Sequence, residues 1–324
     1  YEGSNVVNYG SDFEFTVELS EAYSGSSITV NANGTSLTKS DDGSYVIKNI
    51  TENQTIAVEG ITKNSYTVTI PIGDGYTITP ATTTVNYDDS FKFTFTLDEA
   101  YSKSSYIIKV NGSSVSLNED NQYTIENVRS DINISVEGVE KNTYTVTFDY
   151  DNGSAALTQQ ITHGEKVTKP NDPTKTGYTF TGWQSNGTVY DFSLPISDNI
   201  TLTAVWTKNH YTVVFDSNNA SGSMGIQNFT YDASQALTEN TFTKTGYSFA
   251  GWSENKSASE VTYTDGQSVN NLTSAAGGTV TLYAVWKANT YSVSYDSNGG
   301  SGDIGTGTAT YDSEFTLNSG ESFT

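Results

Sequence analysis

One stretch of this chain is written twice without a gap. Tyr9-Gly-Ser-Asp-Phe13-Glu-Phe15 returns as Tyr87-Asp-Asp-Ser-Phe91-Lys-Phe93. The same offset carries Glu21-Ala-Tyr-Ser24 onto Glu99-Ala-Tyr-Ser102, Asn33-Gly34 onto Asn111-Gly112 and Val58-Glu-Gly60 onto Val136-Glu-Gly138. A repeat of fixed period means that one small structural unit recurs along the chain, which restricts the fold more than composition does. The first copy lacks the opening strand that the second has at Tyr66-Thr-Val-Thr-Ile70.

After Asn142 a second repeat type takes over. Tyr144-Thr-Val-Thr-Phe-Asp149 returns as Tyr211-Thr-Val-Val-Phe-Asp216 and as Tyr291-Ser-Val-Ser-Tyr-Asp296. Thr176-Gly-Tyr-Thr-Phe-Thr-Gly-Trp183 returns as Thr245-Gly-Tyr-Ser-Phe-Ala-Gly-Trp252, and Thr201-Leu-Thr-Ala-Val-Trp206 as Thr281-Leu-Tyr-Ala-Val-Trp286. The third copy stops near the middle of the unit. Five units are therefore expected, at 1–64, 65–142, 143–209, 210–289 and 290–324. No signal peptide opens the chain, and Tyr1 falls inside a repeat, so both ends are expected to be cuts in a longer chain.

The local pattern is that of strands. Phe13-Glu-Phe-Thr-Val-Glu-Leu19 and Phe91-Lys-Phe-Thr-Phe-Thr-Leu97 alternate apolar and polar residues with period two, as half-buried strands do. Asn33-Gly34, Asn111-Gly112, Asn152-Gly153 and Asn186-Gly187 are expected tight turns, because both residues tolerate positive φ. One short helical turn is expected near Thr273–Gly277. The junctions Lys63-Asn-Ser-Tyr66, Lys141-Asn-Thr-Tyr144, Lys208-Asn-His-Tyr211 and Ala288-Asn-Thr-Tyr291 are alike and carry no flexible linker. Short connections limit swing, so a semi-rigid rod is expected, each unit adding about 35 Å at a strand rise of ~3.3 Å.

The second repeat type resembles the Listeria–Bacteroides repeat, also called the internalin B-repeat. The resemblance is carried by the opening Tyr-Thr-Val-Thr-Phe-Asp strand, by Lys166-Val-Thr-Lys-Pro-Asn-Asp-Pro173, by Gly-Tyr-x-Phe-x-Gly-Trp at 177–183 and 246–252, and by Ala-Val-Trp at 204–206 and 284–286. It implies small β-grasp-like domains repeated as a stalk in secreted or surface-anchored proteins. In the second copy Asn255–Gly278 is expanded, and the Lys-Pro segment becomes Ala236-Leu-Thr-Glu-Asn-Thr-Phe242, which puts the local loops in doubt. The first repeat type is similar, in strand pattern and size, to immunoglobulin-like β-sandwich repeats of bacterial surface proteins. The expected fold class is all-β: a tandem-repeat rod of immunoglobulin-like sandwiches followed by β-grasp-like B-repeats.

Charge narrows the partners. The formal net charge is -22, which repels phosphate backbones and anionic lipid. Neither nucleic acid nor a membrane surface is an expected partner, and no apolar run is long enough to span a bilayer. Expected partners are a surface protein or glycan of a host or neighbouring cell, and copies of the chain itself. Cysteine is absent, which removes disulfides, thiolate metal sites and cysteine nucleophiles together.

The remaining candidates for chemistry are few, and each has a plain structural alternative. His163 occupies the position of Tyr231 and Tyr311, and His210 a variable junction position; neither lies near a nucleophile motif. Glu21/Glu99 and Glu59/Glu137 could pair for glycoside hydrolysis, yet they recur simply because the unit recurs. Asp149-Tyr-Asp-Asn-Gly153, Asp216-Ser-Asn-Asn219 and Asp296-Ser-Asn-Gly-Gly300 suggest weak calcium loops but lack the distal Glu, and Asx-turns explain them as well. Trp183 with Trp206, and Trp252 with Trp286, could stack on sugars or fill cores; the core reading is preferred, since small domains lean on aromatics. A lysine facing Asn and an acid could form an isopeptide bond, though no trio can be located. The Asn-x-Ser/Thr sequons at Asn33, Asn111 and Asn199 follow from composition. No catalytic, cofactor-binding or metal-binding residue and no cofactor is assigned. The expected function is a non-enzymatic stalk or spacer segment of a large bacterial cell-surface protein, with a glycan- or glycoprotein-binding module of a secreted or surface-anchored enzyme as the alternative.

Overall fold

The computed structural model describes residues 6–300 and 305–317. Nearly all of its regular structure is β-strand, as the period-two alternation predicts. The two helical segments among the described residues are single 3-10 turns at Glu21–Tyr23 and Glu99–Tyr101. They are the recurring Glu-Ala-Tyr of the first repeat type, each entered from extended backbone at Ser20 and Asp98. By contacts the chain divides into two compact units, Tyr1–Tyr144 with Thr162–Glu165, and Thr145–Ile161 with Lys166–Thr324. The division falls beside Asn142, where the repeat type changes.

In the first unit, residues 65–142 form two sheets around one core. One sheet runs in the order Ser113–Ser114, Ile107–Val110, Ile132–Glu137, Ser65–Thr69, Thr84–Asn86; the other in the order Tyr123–Ile125, Phe91–Leu97, Tyr76–Thr79. Inward residues of both sheets meet: Val68, Ile108, Ile132 and Ile134 from one, and Ile78, Phe91, Phe93 and Tyr123 from the other. Phe91 and Phe93 take alternate positions with Lys92 exposed between them, and Phe93 stacks on Tyr123 at 5.0 Å between centroids. Burial in this core pushes the Tyr123 hydroxyl up to about 12.

Residues 6–64 repeat part of this plan. Phe13–Phe15 pairs with Tyr45–Ile47, and Thr29–Ala32 pairs with Ile56–Glu59. In the second copy Ile132–Glu137 also takes the strand Ser65–Thr69 as a parallel partner, with Ile132 opposite Val68. Its counterpart Ile56–Glu59 has no such partner among the described residues. Phe13 and Phe15 are accordingly half-buried, where Phe91 and Phe93 are 4% and 1% exposed. An open cleft of about 970 Å³ lies there, lined by Val6, Val7, Phe13, Phe15, Ile47 and Ile56 among others.

In the second unit two mixed sheets share one design. The first has the order Leu157–Thr162, Thr143–Asp149, Ile200–Lys208, Tyr178–Ser185, Thr188–Val189; the second has the order Gln227–Thr230, His210–Asp216, Thr279–Ala288, Tyr247–Ser253. The opening and closing strands of each copy run parallel, Phe148 opposite Leu202 and Phe215 opposite Leu282. The Gly-Tyr-x-Phe-x-Gly-Trp strand pairs antiparallel to the closing strand, with a register shift between Phe180 and Gly182 and again between Phe249 and Gly251. Such a bulge re-aims the following side chain, and the residue it aims inward is Trp183 or Trp252, 2% and 0% exposed. Of the third copy, Thr290–Ser294 pairs with Thr306–Thr310 as a hairpin.

Two local expectations change. The helical turn near Thr273–Gly277 does not form: the segment is a non-helical turn. The Gly277 N–H goes to the His210 carbonyl, and the Ser274 carbonyl accepts from Asn209, so long-range partners displace a helical ladder. The expanded segment 255–278 supplies Ser268–Val269, which pairs with Gln235–Ala236. It also brings Tyr263 and Val269 onto the core.

Candidate functional site: the junction asparagines

Four asparagines, one at each junction, share one backbone scheme: each N–H donates to an earlier carbonyl and each carbonyl accepts a later N–H. Asn64 donates its N–H to the Ala22 carbonyl and its Nδ2 to the Glu21 carbonyl and Ser24 Oγ; its Oδ1 accepts from the Gly25 N–H. Its own carbonyl accepts the N–H of Tyr87. Asn142 repeats this at the 78-residue offset, with the Ala100 and Glu99 carbonyls, Ser102 Oγ and the Lys103 N–H, and its carbonyl takes the N–H of His163. The Glu-Ala-Tyr-Ser turn is thus a socket whose backbone matches a carboxamide. Asn142 is 3% exposed, so all of its polar atoms need partners and the scheme supplies them.

The second repeat type builds an equivalent socket from other residues. The Asn209 N–H goes to the Gly177 carbonyl, Oδ1 accepts from Thr179 Oγ1 at 2.7 Å, and Nδ2 donates to the Ser274 carbonyl at 2.8 Å. The Asn209 carbonyl accepts the Tyr231 N–H. At the next junction Asn289 donates to the Gly246 carbonyl, Ser248 Oγ donates to Asn289 Oδ1, and the Tyr311 N–H reaches the Asn289 carbonyl. Here the following copy lays its tyrosine ring on the glycine of the preceding one. A Cβ at Gly177 would collide with the Tyr231 ring, and one at Gly246 with the Tyr311 ring; both glycines have φ of +77. Only glycine meets both the left-handed backbone and the close approach.

A tyrosine–carboxylate bond closes each joint of the second unit. Tyr178 Oη donates to Asp232 Oδ2 at 2.8 Å, and Tyr247 Oη to Asp312 Oδ2 at 3.0 Å. The accepting carboxylate pushes each tyrosine hydroxyl up. Hydrogen bonds from Asn271 and then Tyr178 hold Asp232 below the usual carboxylate range. The raised tyrosines favour the joint below about pH 10 and lose that effect as pH climbs past their folded values. The lowered Asp232 favours it above about pH 4 and loses that effect as pH falls through its folded value. In an ultraviolet or NMR pH titration Tyr178 is expected to ionise later than free tyrosine, and Asp232→Asn to return it towards the ordinary value. Ordinary titration of Tyr178 in the intact chain would rule the bond out.

The residues considered for chemistry are placed as follows. His163 Nδ1 lies 3.3 Å from Tyr144 Oη, and His210 Nδ1 3.0 Å from Thr230 Oγ1. Glu21 Oε2 accepts the Tyr87 hydroxyl, and Glu137 pairs with Lys109 at 2.8 Å; Glu59 and Glu99 are exposed. The three Asp-rich loops are identical Asx-turns: Asp149, Asp216 and Asp296 each accept the N–H two residues on. Among the described residues no group of three or more His, Asp or Glu side chains could hold a metal ion. None of the lysines there is buried, as an isopeptide trio would need. Trp183 packs on Phe148, Tyr150 and Phe180; Trp252 packs on Phe215, Phe242 and Phe249. Trp206 and Trp286 are half-buried, their Nε1 donating to the Tyr150 and Ser217 carbonyls. The sequon residues Asn33, Asn111 and Asn199 all use Oδ1 to accept a backbone N–H.

The joint itself was not anticipated from sequence. The signal was present: asparagine recurs at all four junctions while Lys or Ala precedes it and Ser, Thr or His follows.

The chain is 34% identical over 167 residues to a putative Gly-rich membrane protein of Evansella cellulosilytica, covering 50% of this chain and 18% of that protein. It is 33% identical over 167 residues to a putative membrane protein of the same organism, covering 50% of this chain and 24% of that protein. It is 37% identical over 155 residues to internalin H of Listeria monocytogenes, covering 45% of this chain and 25% of that protein. The chain thus spans a quarter or less of the length of these relatives. Residues 144–205 and 211–285, the two copies built around Trp183 and Trp252, match the Listeria-Bacteroides repeat domain.

Proposed function

We propose that this chain is a non-enzymatic spacer segment of a large bacterial cell-surface protein, adhesin-like or part of an extracellular filament. In this reading the segments 1–64, 65–142, 143–209, 210–289 and 290–324 are separate domains, the first two immunoglobulin-like and the others β-grasp-like B-repeats. They hold a binding region away from the envelope, where it meets a protein or glycan of a host or neighbouring cell. The location is extracellular, on the cell surface or wall. The names of the internalin and membrane-protein relatives support a surface setting.

The observation that carries this reading is the junction asparagine, whose N–H donates to a preceding carbonyl and whose carbonyl accepts a following N–H in all four places. An enzyme or receptor does not need its repeats clamped in one repeated geometry; a spacer does, because its task is to transmit position. The glycan-binding alternative rests on exposed tryptophan pairs, and Trp183 and Trp252 are committed to cores.

Deletion of residues 210–289 joins Asn209 to Thr290 and restores a junction of the natural type. Small-angle scattering is expected to record a maximum dimension shorter by about 35 Å, one strand-length of some ten residues, with the remaining segments melting as before. An unchanged dimension, or unfolding of the neighbours, would refute the spacer reading.

A further inference from the structure

Three Asn-Gly pairs close two-residue hairpins of the same geometry, with φ of 44 and 79 at Asn33-Gly34, 48 and 82 at Asn111-Gly112, and 49 and 80 at Asn186-Gly187. All three asparagines are exposed, and their flanking residues pair directly across each hairpin. What surrounds the carboxamide differs. Asn33 donates Nδ2 to the Asn53 carbonyl at 3.0 Å, and its Oδ1 accepts the Thr55 N–H at 2.8 Å. Asn111 does the same with the Asp131 carbonyl at 3.0 Å and the Asn133 N–H at 2.8 Å. Both amides are therefore pinned sideways onto a neighbouring strand. Among the described residues no hydrogen bond holds the Asn186 carboxamide, while Gly34, Gly112 and Gly187 are equally open, a Cβ on each meeting nothing within 4 Å. Two other Asn-Gly pairs have different turn geometry: Asn152 bonds the Thr174 carbonyl, and Asn298-Gly299 closes a turn from Ser297 to Gly300.

We propose that Asn186 is a site of spontaneous covalent modification, converting to aspartate and isoaspartate, while Asn33 and Asn111 are protected by their hydrogen bonds. The Gly187 backbone nitrogen, deprotonated by hydroxide, attacks the Asn186 Cγ. The new N–Cγ bond closes a succinimide, the Cγ–Nδ2 bond breaks, and ammonia leaves with the proton returned from solvent. Water then opens the ring at either carbonyl. The net change is loss of ammonia and gain of water, with no redox step. Reaching the attacking geometry costs Asn33 or Asn111 two hydrogen bonds and costs Asn186 none. The product places a new negative charge, and in the isoaspartate an extra backbone methylene, at the tip of the hairpin joining Tyr178–Ser185 to Thr188–Val189.

The test is to incubate the intact chain in mildly alkaline buffer and follow each site by peptide mapping with mass spectrometry. Asn186 is expected to deamidate faster than Asn33 and Asn111 by on the order of tenfold or more, the effect of two hydrogen bonds. In denaturant the three rates should converge, since the following residue is glycine in each. Equal rates in the folded chain would overturn the proposal. So would a difference that persists in denaturant, which would trace to sequence context and not to the pinned amides.

Discussion

Trp252→Ala is expected to destabilise residues 210–289 severely while leaving residues 65–142 as they are. Trp252 is fully enclosed, with ring contacts to Phe215 at 4.8 Å, Phe249 at 4.9 Å and Phe242 at 6.2 Å between centroids. Removing such a side chain costs the transfer of its surface and leaves a cavity that rigid neighbours cannot fill, about 3–5 kcal/mol in all. Small domains hold only about 5–15 kcal/mol, so a large share of the local stability goes. Urea unfolding read through Trp286 fluorescence is the measurement. The core of residues 65–142 contains none of these residues, so its own transition should not move. Trp252→Phe separates two contributions. It keeps an aromatic in contact and deletes an Nε1 that is buried without a hydrogen-bond partner, so it should cost less than half of the alanine change. A loss below about 1 kcal/mol for Trp252→Ala would contradict the central role given to this side chain.

Much of this core could be seen in the sequence, because aromatic residues recurring on a two-residue alternation leave few other readings. Phe91 and Phe93 are buried where the alternation puts them, and Asn33-Gly34 and Asn111-Gly112 adopt the positive φ values that their chemistry permits. What could not be read is what depends on partners far along the chain. The Glu-Ala-Tyr of residues 21–23 looks unremarkable until its carbonyls are seen to receive Asn64. Thr273–Gly277 has short-range helical potential, yet its backbone groups are taken by His210 and Asn209. The Asp-rich loops could be read as cation ligands or Asx-turns, and each carboxylate accepts the N–H two residues on, as an Asx-turn requires. The pairing of Trp183 with Trp206 in sequence concealed different environments, one in the core and one half-buried with its Nε1 on the Tyr150 carbonyl.

Asn209→Ala is expected to uncouple residues 143–209 from residues 210–289 without unfolding either. Asn209 is 8% exposed and serves four neighbours through its side chain and backbone: Gly177, Thr179, Ser274 and Tyr231. Alanine keeps the backbone bonds to Gly177 and Tyr231 but loses the two side-chain bonds to the Thr179 hydroxyl and the Ser274 carbonyl, at about 0.5–1.5 kcal/mol each. The loss falls on the joint, because the cores around Trp183 and Trp252 do not include Asn209. Gly177→Ala attacks the same joint from the opposite side. Its Cβ would strain a backbone at φ +77 and push the Tyr231 ring from its seat, breaking the edge-on contact with Tyr178 at 6.0 Å. The two variants share one expected signature: NMR relaxation of the flanking segments, correlated in the parent, becomes independent, while each segment keeps its own chemical shifts and melting point. A variant that tumbles as before would mean that the asparagine is only a turn residue. Unfolding of a flanking segment would mean that it belongs to that core. Independent tumbling alone identifies the asparagine as the element that converts a series of small β units into one that transmits orientation.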